Sequence, residues 1–353
     1  MHRLPQALLR RLLLALLIGA VAASCGARTG LDVEPTDAGP TRDAGLDAGL
    51  DAGLDAGSDA GPICMPGVVR LDPGTVDVVF VIDRSGSMSD AFDGMTPRPG
   101  ESRWEILELA LGGALETFDE SIGVGAKFFP TQTMRATESP CDVNPGLEVP
   151  IGPGHAPGII TQFSRYDPFG GTPVGPAARE ALDALLARAD ENSAQFMVVA
   201  TDGAPNCSEE AVREIVDVIG EAHDTHGIDT YVLGIASTGP EVSLLERLAI
   251  TGGRPRPSTE ERRFYDARDA RLLDTLLGEI TRDLAQCVFA VPVPPDADAE
   301  VAVLVGRETI PRDTSREDGW DWTNPSRTQL SLFGGACEQA IAEGNVRANI
   351  LCR

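Results

Sequence analysis

Lysine is almost missing from this chain of 353 residues: Lys127 stands alone among 29 basic side chains, against 54 acidic ones, and the formal net charge is -25. No basic footprint exists for non-specific binding to nucleic acid, so that class of partner is excluded. With abundant Ala, Gly and Pro, the arginine-only usage reads as the codon bias of a GC-rich genome rather than as function. Histidine is also scarce, with four residues (His2, His155, His223, His226), and no C-x-x-C pair occurs, so no zinc pattern forms. His223 and His226 stand i, i+3 on a predicted helix with no third ligand, which suits a surface helix. Aromatics make up only 5%, but a hydrophobic fraction of 42% is ample for a core. No apolar run has the roughly 20 residues a membrane-spanning helix needs.

The strongest such run, Leu12–Val21, follows Arg3, Arg10 and Arg11 and precedes Ala22-Ala23-Ser24-Cys25. A basic start, a short apolar segment and small residues make 1–24 a signal peptide. The last four residues resemble a bacterial lipobox, with Ala22 where that pattern usually has Leu. The resemblance implies lipidation of Cys25, a lipid anchor in the bilayer and, with Gly26 next, sorting to the outer membrane. The alternative is ordinary cleavage nearby, leaving Cys25 free. Seven cysteines are an odd number. Setting Cys25 aside leaves six, enough for three disulfides in an oxidising compartment. Residues 25–63 then form an acidic tether in which Asp-Ala-Gly-x repeats from Asp43 onward. Gly and Asp disfavour helix and strand, so a disordered linker with a span of roughly 35 Å is expected. Asp at every fourth position is too sparse for calcium loops.

Residues 64–287 alternate strand and helix. Buried strands are expected at Val76–Asp83, Ile122–Phe129, Gln195–Thr201 and Asp229–Ala236, with shorter ones at Leu147–Ile151 and Arg263–Tyr265. Helices are expected at Trp104–Phe118, Gly158–Tyr166, Val174–Ala189, Glu209–Thr225, Val242–Ile250 and Ala270–Gln286. Strands separated by helices imply an α/β fold with a doubly wound, mostly parallel sheet flanked by helices. Residues 288–353 break the rhythm and read as a small β-rich module. Strands are expected there at Val301–Val305 and Thr328–Phe333, with turns at Gly319-Trp320 and Gly334-Gly335. Cys337–Ala342 reads as a helix, and Val346, Ala348, Ile350 and Cys352 share one strand face.

Val76–Ser87, VDVVFVIDRSGS, is a strand without polar alternation that delivers Asp83, Ser85 and Ser87 into a turn. Ligands of doubly wound sheets collect beyond the carboxyl ends of strands. Thr172 lies in Gly-Gly-Thr-Pro and Asp202 opens Asp-Gly-Ala-Pro after QFMVVAT. These loops bring five side-chain oxygens to one rim, a donor set for a hard cation. On these residues, over about 74–287, the chain resembles a von Willebrand factor A (vWA) domain. The resemblance implies a metal-ion-dependent adhesion site holding Mg²⁺ or Mn²⁺, with Ca²⁺ less favoured. In it Ser85, Ser87 and Thr172 contact the metal and Asp83 and Asp202 act directly or through water. Arg84, Gly86 and Met88 fill variable positions. Neutral hydroxyl ligands leave the cation under-neutralised, so a partner's Asp or Glu carboxylate can complete its shell.

By position, Cys64–Cys287 would clamp the domain ends, Cys141–Cys207 would brace the metal rim and Cys337–Cys352 would close the C-terminal module. The function expected is a non-enzymatic, envelope-tethered adhesion module for a protein or glycan ligand that supplies an acidic group. The alternatives are a structural envelope lipoprotein with a stabilising metal and a metal-assisted hydrolase. Against the hydrolase, no histidine falls in the three loops, and no P-loop or activated nucleophile pattern is present.

Overall fold

The computed structural model describes residues 66–116, 122–132, 139–188, 193–292, 295 and 299–351. All belong to one compact unit, Ala60–Arg353. The second unit, Met1–Asp59, lies outside the described residues, as do the expected signal peptide, Cys25 and the acidic tether.

In chain order come β1 (Gly67–Arg70), β2 (Asp72–Pro73), β3 (Thr75–Asp83), α1 (Arg103–Glu116), β4 (Gly123–Phe129), β5 (Val149–Gly152), α2 (Ala156–Phe163), α3 (Val174–Arg188), β6 (Ser193–Thr201), α4 (Ala211–His226), β7 (Asp229–Ile235), α5 (Glu241–Thr251), β8 (Tyr265–Ala267) and α6 (Ala270–Gln286). There follow β9 (Val288–Ala290), β10 (Glu300–Val305), β11 (Glu308–Ile310), β12 (Gly319–Trp322), β13 (Gln329–Phe333), α7 (Gly334–Glu343) and β14 (Val346–Leu351).

The main sheet has the order β5-β4-β3-β6-β7-β8. β4, β3, β6, β7 and β8 run parallel, and β5 adds an antiparallel edge. β3 lies in the middle, and its sequence explains why. Val76, Val78, Phe80 and Ile82 pack into the layer that holds α1, α2 and α6, while Val79 and Val81 pack into the layer of α3, α4 and α5. Both faces are covered, so the strand carries no polar alternation. β6 repeats the device, with Phe196 and Val198 on one side and Met197 and Val199 on the other. Each such side chain contributes about 1.5–3 kcal/mol when buried. This is the doubly wound layout expected from the sequence.

The β-rich part departs from expectation in its composition. Its two sheets, β1-β14-β10-β11 and β12-β13-β9-β2, take β1 and β2 from the amino-terminal side of the main sheet. Residues 288–353 therefore do not close on themselves. Side chains of both sheets and α7 meet in one cluster that includes Leu71, Phe289, Val303, Leu330, Leu332, Ala336 and Val346. Strands of two to four residues, such as DP and GVVR, are too short to show a period. Gly319 opens β12 rather than a turn. Gly334, at φ 55°, passes directly from β13 into α7, and a Cβ there would meet Glu317 O at 2.5 Å.

That direct passage corrects two expected disulfides. Cys287 ends α6 and Cys337 lies on the buried side of α7; the two are bonded, with Cα atoms 5.5 Å apart. β9 leaves α6 at once, pairs with β13, and β13 runs straight into α7, which returns Cys337 over Cys287. The pairs Cys64–Cys287 and Cys337–Cys352 are thereby replaced. Cys64 and Cys352 lie outside the described residues.

A buried ionic hub joins the small sheets to the main one. Asp229, 1% exposed at the start of β7, accepts from Arg254 Nε at 3.0 Å, from His223 Nδ1 at 2.9 Å and from Arg316 Nη1. Arg254 also donates to Ser331 Oγ at 3.2 Å and lies over the rings of Phe196, Tyr231 and Phe333.

Candidate metal centre

β3 ends at Asp83, and its neighbour β6 ends at Thr201 in parallel register, Ile82 opposite Ala200. Both strand ends therefore reach one rim. Asp83 Oδ2 accepts from Thr201 Oγ1 at 2.5 Å, and Asp83 Oδ1 accepts from Ser85 N at 2.8 Å. The turn continues through Gly86–Ser89 as a 3₁₀ segment. Ser85 Oγ and Ser87 Oγ are 3.1 Å apart, and Ser87 Oγ donates to Asp202 Oδ1 at 2.7 Å. The serines and Asp202 form one hydrogen-bonded chain across two loops.

The third loop is fastened to both. Gly86 N donates to Gly170 O at 3.0 Å, and Thr172 N donates to Asn206 Oδ1 at 2.9 Å. Two glycines make this approach possible. Gly170 has φ 86° and a Cβ there would lie 2.5 Å from Pro140 O. At Gly171 a Cβ would lie 2.8 Å from Cys207 Sγ and 2.8 Å from Asn206 Oδ1. The structure bonds Cys141 to Cys207, the pair read from the sequence, with Cα atoms 5.6 Å apart. The bridge thus backs the loop that carries Thr172. Thr172 itself is 3% exposed.

The electrostatics of this rim are strained. Burial, and then the neighbouring Asp202, push Asp83 up to about 7 despite donation from Thr201 and Ser85. Burial also raises Asp202, although Arg103 and Ser87 donate to it. Of these two desolvated carboxylates Asp202 has a guanidinium, Arg103 Nη1, at 2.7 Å from its Oδ2, and no ion pair to Asp83 occurs among the described residues. Burial and like charge both disfavour the ionised pair, and a divalent cation would offset both. The donor set is all oxygen, with three hydroxyls and two carboxylates, and it fits a hard cation such as Mg²⁺ or Mn²⁺.

Sequence reasoning missed Arg103, Thr201 and Asn206. Thr201 follows from strand register, which a single strand does not reveal. Arg103 follows from a capping box that is legible afterwards. Ser102 and Glu105 exchange hydrogen bonds, Ser102 Oγ donating to Glu105 Oε2 at 2.6 Å and Glu105 N to Ser102 Oγ at 3.2 Å. The box fixes the first residue of α1 beside the rim. The Arg84 side chain is buried against Phe128 and Tyr166 and donates to Pro130 O at 2.9 Å. Asp283, Cys287 and Cys337 also cluster, but the two sulfurs are bonded to each other and offer no thiolate.

No family model and no curated protein matches this chain. Solved structures do resemble it. The PilB minor pilin of Streptococcus sanguinis is 16% identical over 60% of this chain and 61% of its own, with a TM-score of 0.45. The SpaC pilus adhesin of Lactobacillus rhamnosus GG is 15% identical over 79% and 39%, with a TM-score of 0.47. A von Willebrand factor type A protein of Catenulispora acidiphila is 12% identical over 82% and 66%, with a TM-score of 0.41. The chain thus spans about three fifths of the pilin's length and two fifths of the adhesin's. Likeness at these identities concerns the fold.

Proposed function

We propose that this chain is a metal-dependent binding module of the cell envelope, with no catalytic role. One observation carries the reading. Three separate loops are stitched together: Ser85, Ser87 and Asp202 form one hydrogen-bonded chain with Asp83 behind it, and the loop of Thr172 is fastened to the other two through Gly170 O and Asn206. Asp83, Ser85, Ser87, Thr172 and Asp202 would hold Mg²⁺ or Mn²⁺. When bound, the metal supplies a Lewis-acidic position for an acidic group of a protein or glycan partner. The chain's own part is to keep the oxygens on a rigid rim, backed by Cys141–Cys207, and to leave that position open to the partner.

The location follows from the same reading. Disulfides suit an oxidising compartment. The basic start, the short apolar segment and the lipobox-like residues before Cys25 support a lipid anchor in the outer membrane, with the acidic repeats as a spacer. Loss of lipid-label incorporation in Cys25→Ala would test the anchor; unchanged incorporation would remove it.

The decisive experiment is partner capture from the organism's own envelope, in Mg²⁺ and in EDTA. Wild type should capture a partner only with the metal, and Asp83→Ala and Thr172→Ala should lose that capture while keeping the fold. Equal capture by all three proteins would overturn the proposal.

A further inference from the structure

Arg103 is held against the rim from several sides. Its Nε donates to Ala91 O at 3.2 Å, and its Nη1 reaches Asp202 Oδ2 at 2.7 Å and Ser87 O at 3.5 Å. Its backbone N donates to Asp90 O at 2.9 Å, and the Ser102–Glu105 box fixes the helix start on which it stands. The side chain is 11% exposed. This guanidinium is therefore ordered rather than a surface charge that happens to point inward.

Its placement changes the charge of the centre. Asp83 and Asp202 alone would match a divalent cation, leaving a neutral site. Arg103 offsets one negative charge of a rim in which Asp90 also lies near Asp202, so the loaded site would be one charge more positive than it would be without Arg103. Inside a shielded rim such a charge acts strongly on anything a few ångströms away. It opposes the incoming cation and favours an incoming anion. Both oxygens of Asp202 are also already engaged, one by Ser87 and one by Arg103. Asp202 is thus better suited to act through water than as a direct ligand.

We infer that Arg103 is a specificity-determining residue of this centre, which weakens cation binding and in return selects an anionic partner group over a neutral one. The inference rests on the proposed metal centre. It makes two predictions of opposite sign, which a merely structural arginine would not produce. Removing the charge should tighten the metal and loosen the anion.

The test uses the full chain as wild type, Arg103→Gln and Arg103→Lys. Mn²⁺ affinity is read by electron paramagnetic resonance, and carboxylate docking by Mn²⁺-induced broadening of the acetate resonance. Arg103→Gln should bind Mn²⁺ about tenfold more tightly, as expected for losing one nearby like charge in a partly shielded site. It should broaden acetate less at equal Mn²⁺ occupancy. Arg103→Lys keeps the charge and should stay within about threefold of wild type in both. Circular dichroism of each variant confirms the fold, and Arg103→Lys carries the comparison if Arg103→Gln unfolds, since a tenfold change in it would overturn the inference. Mn²⁺ affinity in Arg103→Gln that is unchanged or weaker, or acetate broadening that is undiminished, would also overturn it. Failure of the wild type to bind Mn²⁺ would instead overturn the metal centre itself.

Discussion

Two buried aspartates in this protein face opposite surroundings. Asp83, at the end of β3, is fully shielded, and burial together with Asp202 pushes it up to about 7. Asp229, at the start of β7, is as well shielded. Burial pushes it upward too, but Arg316 and Arg254, followed by His223, outweigh that and hold it below the ordinary carboxylate range. The first lies beside another carboxylate, and among the described residues the arginine paired at this rim, Arg103, bonds Asp202 and not Asp83. The second is surrounded by three basic side chains. A carboxylate with its countercharges supplied is structural. A pair of carboxylates with too few is a place for a cation from solution. The contrast separates the part that holds the small sheets to the main sheet from the part proposed to meet a ligand.

The largest effect should come from breaking the hub. Asp229→Ala leaves Arg254 and Arg316 buried without their shared partner, and loss of one member of a buried ion cluster costs about 3–5 kcal/mol. Urea unfolding should show that loss, with or without Mg²⁺. Because the folded Asp229 titrates below its unfolded counterpart, its contribution is present above about pH 4 and fades as pH falls further. The wild-type advantage over Asp229→Asn should therefore shrink in acid. An advantage that grew in acid would contradict the assignment of Asp229 as an ionised hub.

At the rim the expected pattern is reversed. Asp83→Ala removes a carboxylate that burial disfavours but takes the acceptor from the buried Ser85 N and Thr201 Oγ1, so without metal it should cost about 1–3 kcal/mol, less than Asp229→Ala. Wild type, at Mg²⁺ about a hundredfold above its dissociation constant, should gain about 2.7 kcal/mol from binding to the folded state alone. Asp83→Ala should gain nothing. Thermal melts with and without Mg²⁺ measure both, and equal gains in the two proteins would erase the difference between the two aspartates.

The division between the two regions also follows what could be read in the chain. The meeting of the rim's side-chain oxygens was legible because they follow strands whose unbroken apolar runs announce themselves: VDVVFVID before Ser85 and QFMVVAT before Asp202. Gly170 and Gly171 marked the third loop through the conformation and close approach they allow. The hub was not legible, because its members come from three separate stretches, His223 with Asp229, Arg254, and Arg316. His223 and His226 were read together as a surface pair, yet His223 turns to Asp229 at 2.9 Å while His226 lies 3.8 Å from Glu221. Arg316 arrives from the small sheets, whose shortest strands carry no periodicity. Cys287 and Cys337 escaped for the same reason, since their meeting depends on how β9 pairs with β13.

A third acid, Asp283, sharpens the comparison with the smallest expected effect. It lines a cavity of about 340 Å³ between α6, α7 and the arginines of the junction, together with Tyr231, Tyr265 and Arg254. Burial raises it to about 6; Arg254 and Arg282 pull it down, and Glu279 and Glu338 push it up. Among the described residues it has neither the ion pairs of Asp229 nor a donor set around it like that of Asp83. Its folded value exceeds the unfolded 3.8, so the native state holds this proton more tightly. Stability on its account is greatest below about pH 4 and is lost as pH rises through about 6. Asp283→Asn should match wild type near pH 4 and exceed it by up to ~2 kcal/mol at pH 7.5. Urea midpoints at the two pH values measure this. A variant less stable than wild type at pH 7.5 would mean that Asp283 is ionised and paired there, a second Asp229 rather than an uncompensated acid.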